Sequence, residues 1–426
     1  MIKSRSIDRL VIIVLIITVF LSEILISSGI SLVGGSLILL LIFNKSLKIN
    51  YKEISLISPL LMIFFIGLVV SLFHIKSGSK GFGYLVAKDV WYYLKPLIYL
   101  TAGFYLFRMK LEKKLIISVL IYLSLVIAVL HLIRVILFFL TSPPEDLVLD
   151  TIRIRTSFVS LTEAFSLAYI LLLYKKSDVK ELIYLPKWLI ITILATSLLL
   201  SFSRTLIISF IVSLLAMKNF FSFRLPTIIR SGIKTLILFL VVILLLVVLN
   251  RISKKDSLLY SFTDKYLNSF RENRYLGSYP SEAVINANWR GYETHLTLME
   301  IKKGNLAERI FGFGFGKTVY IGKRGYVGEN LENIPKFHNG FIEILLKTGI
   351  AGLLLYLVFF YYIFKLADHD NYGTESEKLF KAIIVTTFLS AFVMTGLYNK
   401  SALDSSCLLL GYFSGMFLHK GGIIKQ

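Results

Sequence analysis

Apolar residues run along the chain in long stretches, broken by short polar connectors and by one long polar insertion. Most of these stretches show no polar face. They therefore read as helices surrounded by lipid or by one another, not as surface helices of a soluble domain. In order they fall near 10–28, 29–43, 55–75, 90–108, 115–140, 156–174, 187–202, 203–217, 234–250, 347–366, 380–397 and 404–419. That is about twelve candidate spans, several shorter than the ~20 residues that cross a bilayer untilted. Breaks at Gly29 and near Ser203 split 10–43 and 187–217 into pairs. The insertion divides the chain into a bundle at 1–250 (roughly nine spans), a loop at 251–346, and closing spans at 347–426 that complete the same membrane domain. Within the loop, Trp289, Tyr292, Leu296 and Met299 recur on one face of a helix from about Asn286 to Lys303, stopped by Gly304-Asn305. The simplest arrangement is an all-helical cap lying on an all-α membrane bundle.

Composition agrees with this class. The chain is 56% hydrophobic and 17% charged, with a mean hydropathy of +0.75. Soluble domains carry about 25% charged residues. The formal net charge of +21 does not point to nucleic acid, because Lys and Arg sit in short clusters between apolar runs. Clusters such as Lys3/Arg5/Arg9, Lys45/Lys48/Lys52, Arg108/Lys110/Lys113/Lys114, Lys175/Lys176/Lys180 and Lys218/Arg224/Arg230 fall in alternate connectors. They outnumber the basic residues of the intervening connectors, so these segments face the cytoplasm, as do both termini. The loop 251–346 and Arg204 then lie on the opposite side. The first span is not a cleavable signal peptide, since its apolar run is long and a second span follows at once. The single cysteine, Cys407, excludes an intramolecular disulfide. No fixed-period repeat or low-complexity tract occurs. Pro143-Pro144-Glu145-Asp146 reads as a turn, and 367–378 as a polar inner connector.

Charged residues within or beside spans are the first candidates for chemistry, because burying them in lipid costs several kcal/mol. Arg204 stands in Leu200-Ser201-Phe202-Ser203-Arg204-Thr205, between two apolar runs and on the side of the loop. An arginine there snorkels to headgroups or lines the mouth of the bundle. Arg290 opens the loop helix with Glu293 one turn on, as in an ordinary surface pair or in an anion site. His338 precedes an apolar helical run and is followed by Asn339. Lys95 lies inside a span with no carboxylate near it in sequence, which calls for an anionic partner or a path to water. Glu163 and the His131/Arg134 pair read as structural. The run Gly312-Phe313-Gly314-Phe315-Gly316 lacks the spacing and the βαβ setting of a dinucleotide fingerprint, and is read as a tight turn between cap helices. No HxxxH or CxxC pattern is present, so the sequence makes no case for a metal.

Four features in order resemble the O-antigen ligase and polymerase family. Ser203-Arg204-Thr205 opens a span, and Arg290-Gly291-Tyr292 opens a loop helix. Gly312-Phe313-Gly314-Phe315-Gly316 follows, and His338-Asn339 with Glu343 leads into Gly349-Ile350-Ala351-Gly352. The match covers roughly 187–366. Where some ligases carry an aspartate near the outer end of the penultimate span, this chain reads Gly396-Leu397-Tyr398-Asn399-Lys400, with Asp404 a few residues on. The resemblance implies a GT-C-like architecture in the bacterial inner membrane, with an active site on the periplasmic face. It implies a donor glycan on undecaprenyl diphosphate and an acceptor that is lipid A–core or a second lipid-linked glycan. It also implies catalytic roles for Arg204, Arg290 and His338, with Asn339 as a substrate-binding residue and no cofactor; Lys95 lies outside the match and is read as substrate-binding from its lone charge inside a span. Arginine stays protonated and its planar fork fits phosphate oxygens. A neutral histidine can take the proton of a sugar hydroxyl. A transporter for the same lipid-linked sugar is the alternative of a different class. The sequence shows no matching pair of broken helices in two halves to favour it.

Overall fold

The computed structural model describes residues 28–43, 50–74, 81–143, 149–156, 160–174, 178–221, 247–253, 288–326, 329–368, 374–398 and 403–423, with isolated positions between them. The expected spans 10–28 and 234–250, and the loop from 254 to 287, lie largely outside the described residues. The described chain is mostly helical. Its helices are α1 Ser28–Phe43, α2 Tyr51–His74, α3 Phe82–Arg108, α4 Lys113–Thr141, α5 Leu149–Thr156, α6 Leu161–Leu172, α7 Lys187–Leu200 and α8 Arg204–Met217. After the start of the loop come α9 Trp289–Lys303 and α10 Leu306–Phe311, the strands β1 Val319–Tyr326 and β2 Glu329–Ile334, then α11 Gly340–Asp368, α12 Glu375–Ser390 and α13 Asp404–Ile423. Three helices, over 51–73, 113–141 and 340–368, are long and apolar enough to cross a membrane, and α6, α7 and α8 are shorter apolar helices.

Local sequence explains where several helices start. Ser160 accepts a bond from Thr162 N before α6, Ser203 from Leu206 N before α8, and Thr374 from Glu377 N before α12. Each supplies an acceptor to a backbone donor that the first turn leaves unpaired. The expected break near Ser203 is present. Ser201 ends α7, Phe202 takes a positive φ of 47°, and α8 begins at Arg204.

Helices α3 and α13 pack backbone against backbone. A Cβ on Gly103 would stand 2.2 Å from Leu408 O, and one on Gly411 would stand 2.1 Å from Leu100 O. Small residues let two backbones approach in an environment where hydrophobic driving force between helices is weak. Several buried charges in this bundle are paired. Lys95 meets Asp404 at 2.6 Å, and Ser22 and Ser31 donate to the other Asp404 oxygen. Lys347 meets Asp89 at 2.6 Å, Lys381 meets Glu377 and Asp368, and Arg108 pairs with Glu53.

The cap departs from the all-helical expectation. After α9 and α10 it contains an antiparallel hairpin pairing Val319 with Ile334 and Tyr326 with Glu329. Val319 and Ile321 point inward while Tyr320 is exposed, the period-two alternation of a half-buried strand. The ladder is irregular between Tyr320 and Arg324, where Gly322 has a φ of 83°. Ile285, Tyr292, Phe313, Val319, Ile334 and Phe337 form a small apolar core of the cap, separate from the bundle's.

The glycine run is also placed differently from the turn expected between cap helices. It leaves the cap and threads between α2, α3 and α11. Phe313 N and Gly314 N donate to Leu346 O and Lys347 O, Phe315 N donates to Gly67 O, and Gly316 N donates to the Asp89 carboxylate. Phe315 is fully buried, 4.7 Å from the Tyr93 ring. A Cβ on Gly314, which has a φ of 79°, would meet Ser71 N at 2.5 Å. These glycines allow positive φ and close backbone approach together.

Candidate active site

The turn Phe337-His338-Asn339-Gly340 joins the hairpin to α11, and several backbone bonds hold it in place. Asn339 Oδ1 accepts from Phe341 N and Ile342 N, so this side chain caps α11. Gly340 N donates to Ala391 O at 2.8 Å, which seats the turn on the end of α12. Phe337 N donates to Glu343 on α11 and His338 N donates to Glu293 on α9. Two carboxylates thus grip consecutive amides, one from the bundle and one from the cap.

Glu293 is the central partner. Its carboxylate is 3% exposed and accepts from Trp289 Nε1 at 2.7 Å, one turn back on α9. Nδ1 of His338 lies 3.0 Å from both of its oxygens. A carboxylate only accepts, so it selects the ring form with hydrogen on Nδ1. The Nε2 lone pair is then left for chemistry, and the His338 side chain is 41% exposed. A carboxylate orients the ring of a catalytic histidine elsewhere in the same way.

The other expected residues fall as follows. Arg290 occupies the first turn of α9, half-buried, three residues before Glu293 and so on the neighbouring face. Glu293 is a buried partner of His338, not the solvent-exposed half of an Arg290–Glu293 surface pair. Arg204 opens α8, which packs on α6 and α12. The structure therefore joins Arg290's helix to His338 directly, while Arg204 belongs to the bundle. Lys95 and Asp404 form their own ion pair inside the bundle, so the anionic partner that Lys95 required is supplied by the far end of the chain. The Asp404 carboxylate is fully buried. Glu163 and His131 are both bridged to Ser197, at 2.7 and 2.9 Å, consistent with the structural reading. Among the described residues no group of three or more His, Cys, Asp or Glu could hold a metal ion.

Sequence reasoning missed Glu293 as the partner of His338. Its only local signal was a carboxylate inside an otherwise apolar helical face, at the step between Tyr292 and Leu296. It missed Asp89 and Lys347 as well, which lie on α3 and α11 and tie the end of the glycine run into the bundle. Lys347 Nζ also donates to Lys317 O, so the pair fixes the exit of that run.

A family model described as O-antigen ligase matches residues 189–357. A search of curated proteins finds no match. The matched segment contains α7, α8, the described cap and the first half of α11, and so contains Arg204, Arg290, Glu293, His338 and Asn339. Lys95 and Asp404 lie outside it. The ordered features that suggested this relationship, from Ser203-Arg204-Thr205 to Gly349-Ile350-Ala351-Gly352, lie within the matched segment, and over that segment the chain is similar to the O-antigen ligase family.

Proposed function

We propose that the protein transfers a glycan from undecaprenyl diphosphate to a sugar hydroxyl of lipid A–core, with inversion and without a metal. The observation that carries this reading is the buried Glu293 carboxylate on Nδ1 of a half-exposed His338. The acceptor hydroxyl gives its proton to His338 Nε2 while its oxygen attacks the anomeric carbon. The bond from that carbon to the diphosphate oxygen breaks, and the diphosphate leaves with the electron pair. Arg290 from the cap and Arg204 from the bundle hold the charge that grows on it. Asn339 keeps the turn in position through its cap of α11. In this reading the chain spans the inner membrane about twelve times in a GT-C-like architecture, with both termini cytoplasmic and the cap periplasmic.

The test pairs a donor-binding measurement with single-turnover transfer. His338→Ala is expected to keep donor binding while transfer falls by about 10²–10⁴. Arg204→Ala and Arg290→Ala are expected to weaken binding and transfer together, and lysine at either site to recover only part. Donor binding lost in His338→Ala but intact in both arginine variants would reverse the roles. Deleting the gene identifies the acceptor. Loss of long chains from lipid A, with lipid-linked polymer accumulating, supports ligation, whereas core carrying a single repeat makes the acceptor a second lipid-linked glycan.

A further inference from the structure

Helix α10 is amphipathic in an unusual sense. Its polar residues are tied up locally and its apolar residues face outward. Asn305 and Glu308 form a reciprocal capping box, and Arg309 donates to Gly304 O and Lys302 O. Leu306 is 74% exposed, Phe311 46% and Ile310 37%. The helix is wedged beside two of the helices long enough to span a membrane. Ile310 O abuts Gly349, where α11 breaks with a φ of 67° and a ψ of −168°, and α10 also packs on α2. Its neighbours on α2, Phe65 to Phe73, occupy the last ~12 Å of that helix at 1.5 Å per residue. Helix α10 therefore lies beside the last turns of α2 and at the break from which the long apolar segment of α11 runs on. That position falls within the headgroup and upper acyl region of a bilayer whose hydrocarbon core is about 30 Å thick.

Between α10 and α2 lies an open crevice of about 580 Å³. Phe65, Ile66, Val69 and Phe73 line one wall, and Ala307 and Phe311 line the other. Phe65, Val69 and Phe73 are themselves exposed, so the crevice continues the outward face of a candidate membrane span without a break. Just before α10, Lys302 and Lys303 end α9 with exposed ammonium groups, placed for headgroup phosphates.

We propose that α10 is a membrane-seated foot of the cap, and that an acyl chain of an ordinary bilayer phospholipid fills the crevice between α10 and α2. The foot sets the height of the cap over the membrane. Helix α9, carrying Arg290 and Glu293, is joined to it through Gly304-Asn305. The proposal concerns membrane lipid and does not rest on the glycan-transfer reading.

Two measurements on the full chain in lipid nanodiscs test it. Leu306→Cys in a Cys407→Ala background carries bimane, and Glu332→Cys on the exposed hairpin serves as the aqueous control. Acyl-brominated phosphatidylcholine should quench the label at 306 ~2-fold or more and leave that at 332 unchanged, as expected for a side chain in the acyl boundary. No quenching at 306, with ready quenching by aqueous iodide, overturns the foot. In the second arm the unmodified chain is photolysed with phosphatidylcholine bearing a diazirine in its acyl chain. Crosslinks should appear in the peptides covering 65–73 and 305–312 and persist when polyprenyl phosphate is added. Their absence, or their displacement by polyprenyl phosphate, removes bulk phospholipid as the occupant.

Discussion

Glu293 shows how much of the site rests on one side chain. It accepts from Trp289, from the His338 amide and from His338 Nδ1, all while shielded from water. A hydrogen bond to a charged group contributes about 1.5–3 kcal/mol, and stranding a buried partner costs more. Glu293→Gln keeps the size but presents an amide NH2 to a site built of donors. Transfer is expected to fall by up to about 10⁴-fold, the loss when the carboxylate behind a catalytic histidine becomes an amide, with donor binding unchanged. The double variant Glu293→Gln/His338→Ala should be no slower than His338→Ala alone, because the glutamate acts only through the ring. Fully additive losses in single-turnover transfer would give Glu293 a separate role. His338 was legible in the sequence because it stands where a polar loop meets an apolar helix. Its partner was not, because Glu293 is separated from it by α10, the glycine run and a hairpin, and nothing local marks the pairing.

At the scale of elements, contacts without side chains and contacts between buried charges hold the cap to the bundle and the bundle together. The Gly103–Gly411 crossing leaves no room for a side chain. Gly103→Leu is expected to destabilise by about 1–3 kcal/mol or more through overpacking, read as a lower Tm in detergent. An unchanged Tm would show that α3 and α13 are not in backbone contact. The Asp89–Lys347 pair sits under the end of the glycine run, with Gly316 N on the same carboxylate oxygen. Asp89→Asn strands the Lys347 ammonium and should cost about 3–5 kcal/mol. The double variant Asp89→Leu/Lys347→Met should be less damaging than Asp89→Asn alone, because a matched apolar pair carries no desolvation penalty. Equal damage from both in thermal unfolding would mean that the bond to Gly316, not the ion pair, carries the effect. The helices were legible element by element: α9 ends at Lys303 before Gly304, as its periodicity predicts. The hairpin was overlooked. Its alternation of Val319, Tyr320 and Ile321 is short and dissolves into Gly322-Lys323-Arg324-Gly325, where a bulge breaks the ladder.

For the whole molecule, the distribution of Lys and Arg among connectors predicts that the cap lies outside the cytoplasm. Cysteines introduced at Ser257 and Lys323 in a Cys407→Ala background should react with an impermeant thiol reagent in intact spheroplasts. Labelling only after lysis would invert the orientation and move the site to the other face of the membrane.

What the sequence determined by itself is local. The membrane class, the runs that become helices, the break before Arg204, the start of α11 at His338-Asn339 and the end of α9 all follow from composition, periodicity and capping, which act over a few residues. What only the tertiary structure decided is pairing. Lys95 with Asp404, Asp89 with Lys347 and Gly316, and Glu293 with His338 each join segments far apart in the chain. The same holds for the glycine run, which reads as a loop and is instead buried between helices. The physical reason is that a charge or a bare backbone in an apolar environment must find a partner. Which partner it finds depends on how the helices cross, and no local pattern in the chain records that.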